Sequence, residues 1–397
     1  MTETLSSRLE LLADLAARLA AHRPELVAAA AADIGTPCRI AGLEVDLAVT
    51  HLRTMEEELP YVQGKAPYGT VAAIFPYDAA PVMLARVGGA ALLAGNRFRF
   101  SCSSQTPRTA QVLQHVVQPF PAIELVHPLD NRTFGQACIA DPEVRVLFVA
   151  GGGEVGAIYE QAKGAFDKLF FAGPSGLPPA ILFKDAPLDT ATRFVVQRAF
   201  LNGGQYCTTI KRAYIPQDLY PVARELILSR MADIKVGDPT DPDTWIGPIK
   251  VARTRLLLAQ ALESLQDHHF LLPPCRDGEW QGPFLLETTE PPDRELFGPF
   301  LALVPSPSDA DSLARVLASR YPFMVAFFGT PPPGGKEALQ QTFGMVYDNP
   351  DFLFTPLRLP FGGKKASGWL LERTPQGWQR RDGAFIYSAE LARDNNT

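Results

Sequence analysis

The chain has 397 residues, 46% of them hydrophobic and 20% charged, which is enough apolar material for two ordinary domains. Its net charge of −6, with lysines and arginines scattered along the chain, sets aside a nucleic-acid partner, because phosphate backbones demand a basic face. Five widely spaced cysteines, with no CxxC pair and no histidine at zinc-ligand spacing, argue against a structural metal or a disulfide framework and suit a reducing, cytoplasmic compartment.

The N-terminal stretch MTETLSSRLELLADLAARLAAH mixes acids with Leu and Ala, unlike a signal peptide with its basic start and unbroken apolar core. Leu5, Leu9, Leu12, Ala16 and Leu19 recur at intervals of three and four, predicting an amphipathic helix, and Pro24 restarts a second one through LVAAAAADI. From Gly69 short apolar runs alternate with helical ones. TVAAIF, RFRF, AIELVH and VRVLFVA read as strands, while PVMLARVGGAALLAG and TAQVLQHVV read as helices. The most apolar window, Val82 to Gly95, is interrupted by Arg86 and Gly88-Gly89 and is too short to cross a bilayer, so no membrane partner is expected. Such alternation predicts an α/β protein with a largely parallel sheet covered on both faces.

A soft boundary falls near GPSGLPP at 173–179. Beyond it come a helical pattern between Leu188 and Phe200, a strand KRAYIP and a helix near YPVARELILSRMADI. VGDPTDPDTWIGP and LLPPCRDGEWQGPF are rich in Pro, Gly and Asp and read as surface connections. His268-His269 reads as a solvated pair in a polar loop.

Two stretches carry chemistry. In FLNGGQYC, residues 200–207, the glycines permit backbone conformations closed to other residues, Asn202 and Gln205 can hold a turn, and Cys207 at the end is placed to offer its sulfur to a cleft. Burial as a small hydrophobe is the commoner use of a free cysteine. Gly151, Gly153 and Gly156, with Gly152 between the first two, spell GxGxxG after the strand VRVLFVA and ahead of a helical pattern, where backbone N–H groups can meet a pyrophosphate.

Phe200, Asn202, Gly204, Gln205 and Cys207 reproduce FxNxGQxC, the nucleophile motif of the aldehyde dehydrogenase superfamily. Further motifs follow in that family's order: PYGTVAAIFPY, ALLAGN, SQTP, FKDAPLD, VGDPTDPDTWIGP, ELFGPFLALV, and Asn349 followed by PFGGKKASG. The chain therefore resembles that superfamily over roughly residues 5 to 390. The resemblance implies an aldehyde dehydrogenase-like α/β fold: a Rossmann-like NAD(P)-binding domain over residues 1–173, an α/β catalytic domain over 174–350, and a C-terminal segment, 351–397, that returns to the cofactor domain and supplies a bridging strand. It also implies a Cys207 thiolate that attacks an aldehyde, NAD or NADP as hydride acceptor, and release of the acyl group to water or to coenzyme A. Glu295 and Phe297 match the family's nicotinamide-ribose ligand and its neighbour.

Several positions depart from the family pattern. Asp78 stands where the family has the oxyanion-binding Asn, and an ionised carboxylate there repels an oxyanion; it serves instead as a protonated group, as a turned-away loop closer, or as a base. The Cys207 N–H is left as oxyanion donor. Gly173 stands at the general-base Glu, as in the family's acyl-CoA branch, which lacks that Glu. Ser101 and Ser104 replace the ribose-binding Lys and the Glu after it, while Arg97 and Arg99 alternate along the strand before Ser101, with a phosphate contact or, more commonly, a solvated strand edge as their use. The family's long hairpin ahead of P-x-G is shortened here to ELPYVQGKAPYG, which favours a homodimer over the usual tetramer, with GAFIYSAEL pairing across subunits. Two readings follow: an NAD(P)-dependent oxidoreductase acting on an aldehyde or acyl thioester, with water or a thiol as acyl acceptor; or a degenerate relative with weak or no cofactor binding, serving as a partner protein or a cofactor-free cysteine acyl transferase or esterase.

Overall fold

The computed structural model describes residues 4–127, 130–151, 153–161, 167–265, 268–358 and 360–394. Two helices open the described chain. Thr4 caps Leu5–Ala21 by accepting from Ser7 N, and Pro24 sits in the first turn of Arg23–Ile34, where its missing N–H costs nothing.

Strands β1 (Thr70–Ile74), β2 (Arg97–Ser101), β3 (Ile123–Leu125), β4 (Val144–Val149) and β5 (Leu169–Ala172) come from the first half of the chain. The second half adds β6 (Pro179–Leu182), β7 (Arg212–Pro216), β8 (His269–Leu272), β9 (Phe284–Glu287), β10 (Phe300–Ser306), β11 (Met324–Phe328) and β12 (Met345–Asp348), and the C-terminal stretch contributes β13 (Trp369–Thr374) and β14 (Gly377–Asp382). Among the described residues they form two seven-stranded sheets, in the orders β14-β13-β5-β4-β1-β2-β3 and β12-β11-β6-β7-β10-β9-β8. Pairing within β3-β2-β1-β4-β5 and within β12-β11-β6-β7-β10-β9 is parallel; β13, β14 and β8 join antiparallel.

Parallel strands buried on both faces explain why these segments are nearly continuous apolar runs. In the first sheet Val71, Ala73, Phe98, Phe100 and Phe148 face the N-terminal helices through Leu12, Leu15 and Leu19, while Ala72, Ile74, Leu147 and Phe170 face Phe134, Tyr159 and Trp369 on the other side. The second sheet is covered likewise by Val195, Phe200 and Ile227 on one face and by Val316, Leu339 and Phe343 on the other.

The structure departs from the sequence expectations in one place and adds two details. LLPPCRDGEWQGPF begins inside β8, ends inside β9 and carries a small hairpin, Arg276–Asp277 with Trp280–Gln281. Strands β13 and β14 extend the first sheet without any local alternation that announces them. The stretch GAFIYSAEL finds a partner in its own chain, Ala384–Ile386 lying antiparallel to Phe361–Gly363. Among the described residues, no helix is long and apolar enough to cross a membrane, and all five cysteines are free thiols.

Gly156 lies in the helix Gly153–Glu160 directly against β5 and β13. A Cβ there would stand 2.5 Å from the Ala172 Cβ and 3.1 Å from the Trp369 ring. Gly156→Ala is therefore expected to lower stability by about 1–3 kcal/mol through overpacking, read as a lower denaturant midpoint at unchanged slope.

Candidate active site

In the first sheet the chain leaves β1 toward β2 and β3 on one side and returns through β4 and β5 on the other, so the carboxyl ends of β1 and β4 border a topological switch point. A cavity of about 600 Å³ opens there. Ile74, Phe75, Pro76, Tyr77 and Asp78 follow β1 into its wall, and Ala150 and Gly151 follow β4. The second sheet's loops close the opposite side with Tyr206, Cys207 and the run Glu295-Leu296-Phe297. Exposed Ser104, Gln105, Arg253 and Leu257 form the rim, so the cavity communicates with solvent.

Cys207 reaches this cavity because the chain reverses sharply after the helix Leu188–Phe200. Asn202, Gly203 and Gly204 have φ of 50°, 61° and 70°, three successive left-handed residues that only Gly and Asn tolerate readily. The buried Lys211 ammonium secures the turn, donating to Gly204 O at 2.8 Å and to Gly298 O at 2.9 Å. Gln205 closes it from the other end, its backbone N and its Nε2 both donating to Asn202 O at 3.2 Å. The buried Arg198 holds the residue after the nucleophile, giving one Nη2 bond to Thr208 O and an Nη1 bond to Leu353 O, each 2.5 Å. Cys207 itself is half-buried, and its N–H meets no acceptor among the described residues.

Tyr77 joins the two sides. Its hydroxyl lies 3.2 Å from Thr254 Oγ1 and donates to Gln205 Oε1 at 3.5 Å, and its ring meets Phe297 edge-on at 6.1 Å. Glu295 accepts from Ser175 Oγ at 2.8 Å and from Gly176 N at 2.7 Å, so its carboxylate is fixed while still lining the cavity.

Burial dominates the electrostatics. It pushes the Cys207 thiol well above its ordinary value, and the Asp78 and Glu295 carboxylates push it further, against the pull of Arg86 and Arg198. Asp78 is raised to about 7 by burial and by Glu295. Glu44, from the helix Cys38–Arg53, is raised to about 8 by burial, although the Tyr206 hydroxyl donates to its Oε1. Lys211 is lowered to about 7 and Arg86 to about 10, again chiefly by burial.

The structure thus brings Cys207, Asp78, Gly151, Glu295 and Phe297 into one cavity. Gly153 begins the helix that follows β4, Gly156 packs that helix on the sheet, and Gly152 lies outside the described residues. Asn202 is a turn residue away from the cavity wall, its buried side-chain amide paired with nothing among the described residues. Ser101 is also buried away from the wall, but its Oγ donates to Asn131 Oδ1 at 2.8 Å and Asn131 lines the cavity. Arg99 pairs with Glu124 and Asp141, each at 2.7 Å, instead of standing free at a solvated edge. At Gly173 a Cβ would fall 2.7 Å from Ser367 O and 3.0 Å from Gly368 Cα, so the neighbouring chain occupies the space a base would need.

Sequence reading missed Arg86, Glu44, Tyr206 and Tyr77 as site residues. Arg86 sits in a wide π turn, Leu84–Gly88, that interrupts an apolar helix; the lone charge in that run was its only signal. It is 4% exposed, its Cζ lies 3.8 Å over the Phe361 ring, and its Nη1 has no partner among the described residues.

A nicotinamide dinucleotide fits this donor set in part. Gly151, with φ 148°, and the start of Gly153–Glu160 offer a backbone cradle at the end of β4, and Glu295 stands across the cavity. The far end is neutral, formed by Ser103, Ser104, Gln105 and Asn131.

A strand-end crevice facing a cysteine on a left-handed turn is what the sequence motifs anticipated, and family comparison agrees. The model of the aldehyde dehydrogenase family matches residues 2–380, and the chain belongs to that family. Over 267 residues it is 29% identical to a probable succinate-semialdehyde dehydrogenase [NADP(+)] of Sinorhizobium fredii, covering 62% of this chain but only 53% of that relative. An N-succinylglutamate 5-semialdehyde dehydrogenase of Ectopseudomonas mendocina is 28% identical over 92% of this chain and 81% of its own length. A lactaldehyde dehydrogenase of Methanococcus vannielii is 24% identical over 91% and 83%. The fold is shared with succinic semialdehyde dehydrogenase of Streptococcus pyogenes, solved with NADP+ (TM-score 0.84, 22% identity, 98% of this chain and 88% of that one). It is shared also with glyceraldehyde-3-phosphate dehydrogenase of Methanocaldococcus jannaschii, complexed with NADP (TM-score 0.82, 20% identity, 97% and 90%).

Glu44 gives a pH test of this electrostatic arrangement. Its carboxyl titrates at about 8 when folded and near 4.5 otherwise, so the folded chain keeps a proton that the unfolded chain releases. That contribution to stability is complete below about 4.5 and is lost as pH rises through about 8. Glu44→Gln is expected to flatten the fall in stability between those values, measured by denaturant unfolding at several pH values.

Proposed function

We propose that this protein oxidises an aldehyde bearing an anionic group, through an acyl intermediate on Cys207, with NAD or NADP as hydride acceptor. The observation that carries this reading is the position of the motif cysteine in the wall of the crevice where β1 and β4 end. In this reading residues 1–173 with the returning segment 351–397 form the cofactor unit, and residues 174–350 the catalytic unit.

Gly151 and the start of Gly153–Glu160 would hold the pyrophosphate, Glu295 and Phe297 the nicotinamide end, and Ser104 with Gln105 the adenosine end. When bound, the nicotinamide takes up the hydride lost by the aldehyde carbon. The protein's own part begins with Cys207 Sγ attacking the carbonyl carbon while the Cys207 N–H, free of other acceptors among the described residues, donates to the developing oxyanion. Tyr77, Leu296, Phe297 and Phe354 exclude water from the walls. No side chain fits at Gly173, so water or a thiol such as coenzyme A, as acyl acceptor, must be activated from elsewhere in the site.

Arg86 supports the anionic substrate. A buried guanidinium with an unpaired Nη1 at a cavity wall needs an acceptor, and a carboxylate meets that need. Two of the three relatives described above are named for semialdehydes that carry carboxylates. The free thiols suit a reducing cytoplasm, and the exposed strand β14, at the edge of the first sheet, suits a homodimer.

NADP or NAD at millimolar concentration is expected to raise the thermal midpoint, since a ligand of the folded state stabilises it. Cys207→Ala should keep that shift while losing aldehyde-dependent cofactor reduction; absence of both the shift and the turnover in the native protein leaves the cofactor-free reading. Arg86→Met is expected to raise KM for a carboxylate-bearing aldehyde by about 10- to 100-fold, the value of one charged hydrogen bond. A neutral aldehyde of equal length should change far less, and an equal loss for both would remove the anionic group from the assignment.

A further inference from the structure

We propose that Asp78 is the general base of this site, taking the proton of Cys207 Sγ during attack and later the proton of the acyl acceptor. The proposal rests on the aldehyde-oxidising reading above and supplies the group that Gly173 cannot.

The need for a base is physical. Cys207 is held where burial and two carboxylates disfavour its thiolate, so it enters the reaction as a thiol and must lose a proton as it attacks. Asp78 lines the same cavity, is 6% exposed, and its carboxyl is hydrogen-bonded by its own backbone N–H with no donor from another described residue, so lone pairs remain open toward the cavity. It follows β1 in a tight bend, ahead of Ala79 at φ 55°, which keeps the carboxyl at the strand-end crevice where Cys207 arrives from the other side.

The groups facing Asp78 come from each element packed around it. These are Glu44 on the helix Cys38–Arg53, Tyr206 and Cys207 on the nucleophile loop, Glu295 ahead of β10, and Tyr77 on its own bend. Tyr206 and Glu44 hold each other in a hydrogen bond, and burial keeps both protonated at neutral pH. Burial first, and then Glu295, which burial also pushes upward while Ser175 and Gly176 donate to it, set Asp78 near neutrality, where a base is both available and strong.

The steps balance. In the first, the Asp78 carboxylate accepts the Sγ proton, the Sγ–carbon bond forms, and the carbonyl π pair moves to oxygen. Once the hydride has left and the thioester stands, Asp78 releases its proton to solvent through the rim at Ser104 and Gln105. In the second, Asp78 takes a proton from the acceptor O–H or S–H, the acceptor atom bonds to the acyl carbon, the carbon–Sγ bond breaks, and Sγ recovers the proton from Asp78.

Alkylation of Cys207 by iodoacetamide, followed by peptide mass spectrometry so that the other thiols are counted separately, tests this without substrate or cofactor. Base and mere neighbouring charge predict opposite signs. If Asp78 removes the proton, the wild-type rate rises through about pH 7, Asp78→Asn slows alkylation by about 100-fold, and Asp78→Glu recovers most of it. If Asp78 only repels the thiolate, Asp78→Asn speeds alkylation, and that result overturns the proposal. Should the asparagine variant fail to fold, Asp78→Ala is read in the same way. Aldehyde turnover, measured alongside, separates the two claims. Slowed alkylation in a protein that turns over no aldehyde refutes the oxidoreductase reading and leaves the base; undiminished alkylation and turnover in Asp78→Asn refute the base and leave the oxidoreductase.

Discussion

The site depends on one buried ammonium. Three consecutive left-handed residues, Asn202 to Gly204, have no helix or sheet ladder to hold them, and Lys211 supplies the hold by donating to Gly204 O and Gly298 O at once. The second of those carbonyls belongs to the segment that carries Glu295 and Phe297. A single side chain therefore fixes the nucleophile's turn relative to the loop across the cavity, and the close approach admits no Cβ at Gly204, where it would meet Gly298 O and the Lys211 Nζ. Burying that ammonium is unfavourable by itself, which is why its titration falls to about 7, and the two carbonyls with the nearby Glu295 carboxylate offset the loss of water.

The same balance runs through the rest of the cavity. Arg86, Arg198 and Lys211 are buried on one account, Glu44 and Asp78, with the half-buried Glu295, on the other. Arg198 spends both terminal nitrogens on the carbonyls of Leu353 and Thr208 and so acts on the backbone, whereas Arg86, which lines the cavity, leaves its terminal Nη1 without a partner among the described residues. Groups whose bonds go to backbone carbonyls shape the site; Arg86, with an unpaired terminal nitrogen at the cavity wall, and Asp78, bonded by its own backbone N–H, are where chemistry is left to occur.

Much of the fold was legible because parallel strands buried on both faces announce themselves as apolar runs, and TVAAIF, RFRF, VRVLFVA and KRAYIP all became strands of the two sheets. The nucleophile turn was legible for a local reason too, since Gly203 and Gly204 are required where φ is positive. What escaped was long-range. Glu44 meets Tyr206 across 162 positions, and Arg86 reaches Phe361 from a helix that reads as plain core. Ser101, the last residue of β2, stands at the family's ribose-binding Lys, but tertiary packing turned it inward to Asn131. The antiparallel pair β13 and β14 lies in a charged stretch, WLLERTPQGWQRRD, in which only the inner strand is buried, so no alternation marked it.

Gly173 and Asp78 are best understood together. The carbonyl of Ser367 and the Cα of Gly368 crowd position 173 so closely that restoring a carboxylate there would require moving the PFGGKKASG segment, which itself pairs with Ala384–Ile386. A base at that place is sterically foreclosed, not merely missing. Position 78 lies at the end of β1 in the cavity wall, where the carboxyl has its own backbone N–H as donor and none from another described residue. An amide at 78 would strengthen oxyanion binding and leave Cys207 protonated; a carboxylate weakens oxyanion binding and gives the thiol somewhere to send its proton. With the Cys207 thiol raised as far as burial raises it, removal of that proton is the larger obstacle, and the acid at 78 addresses it.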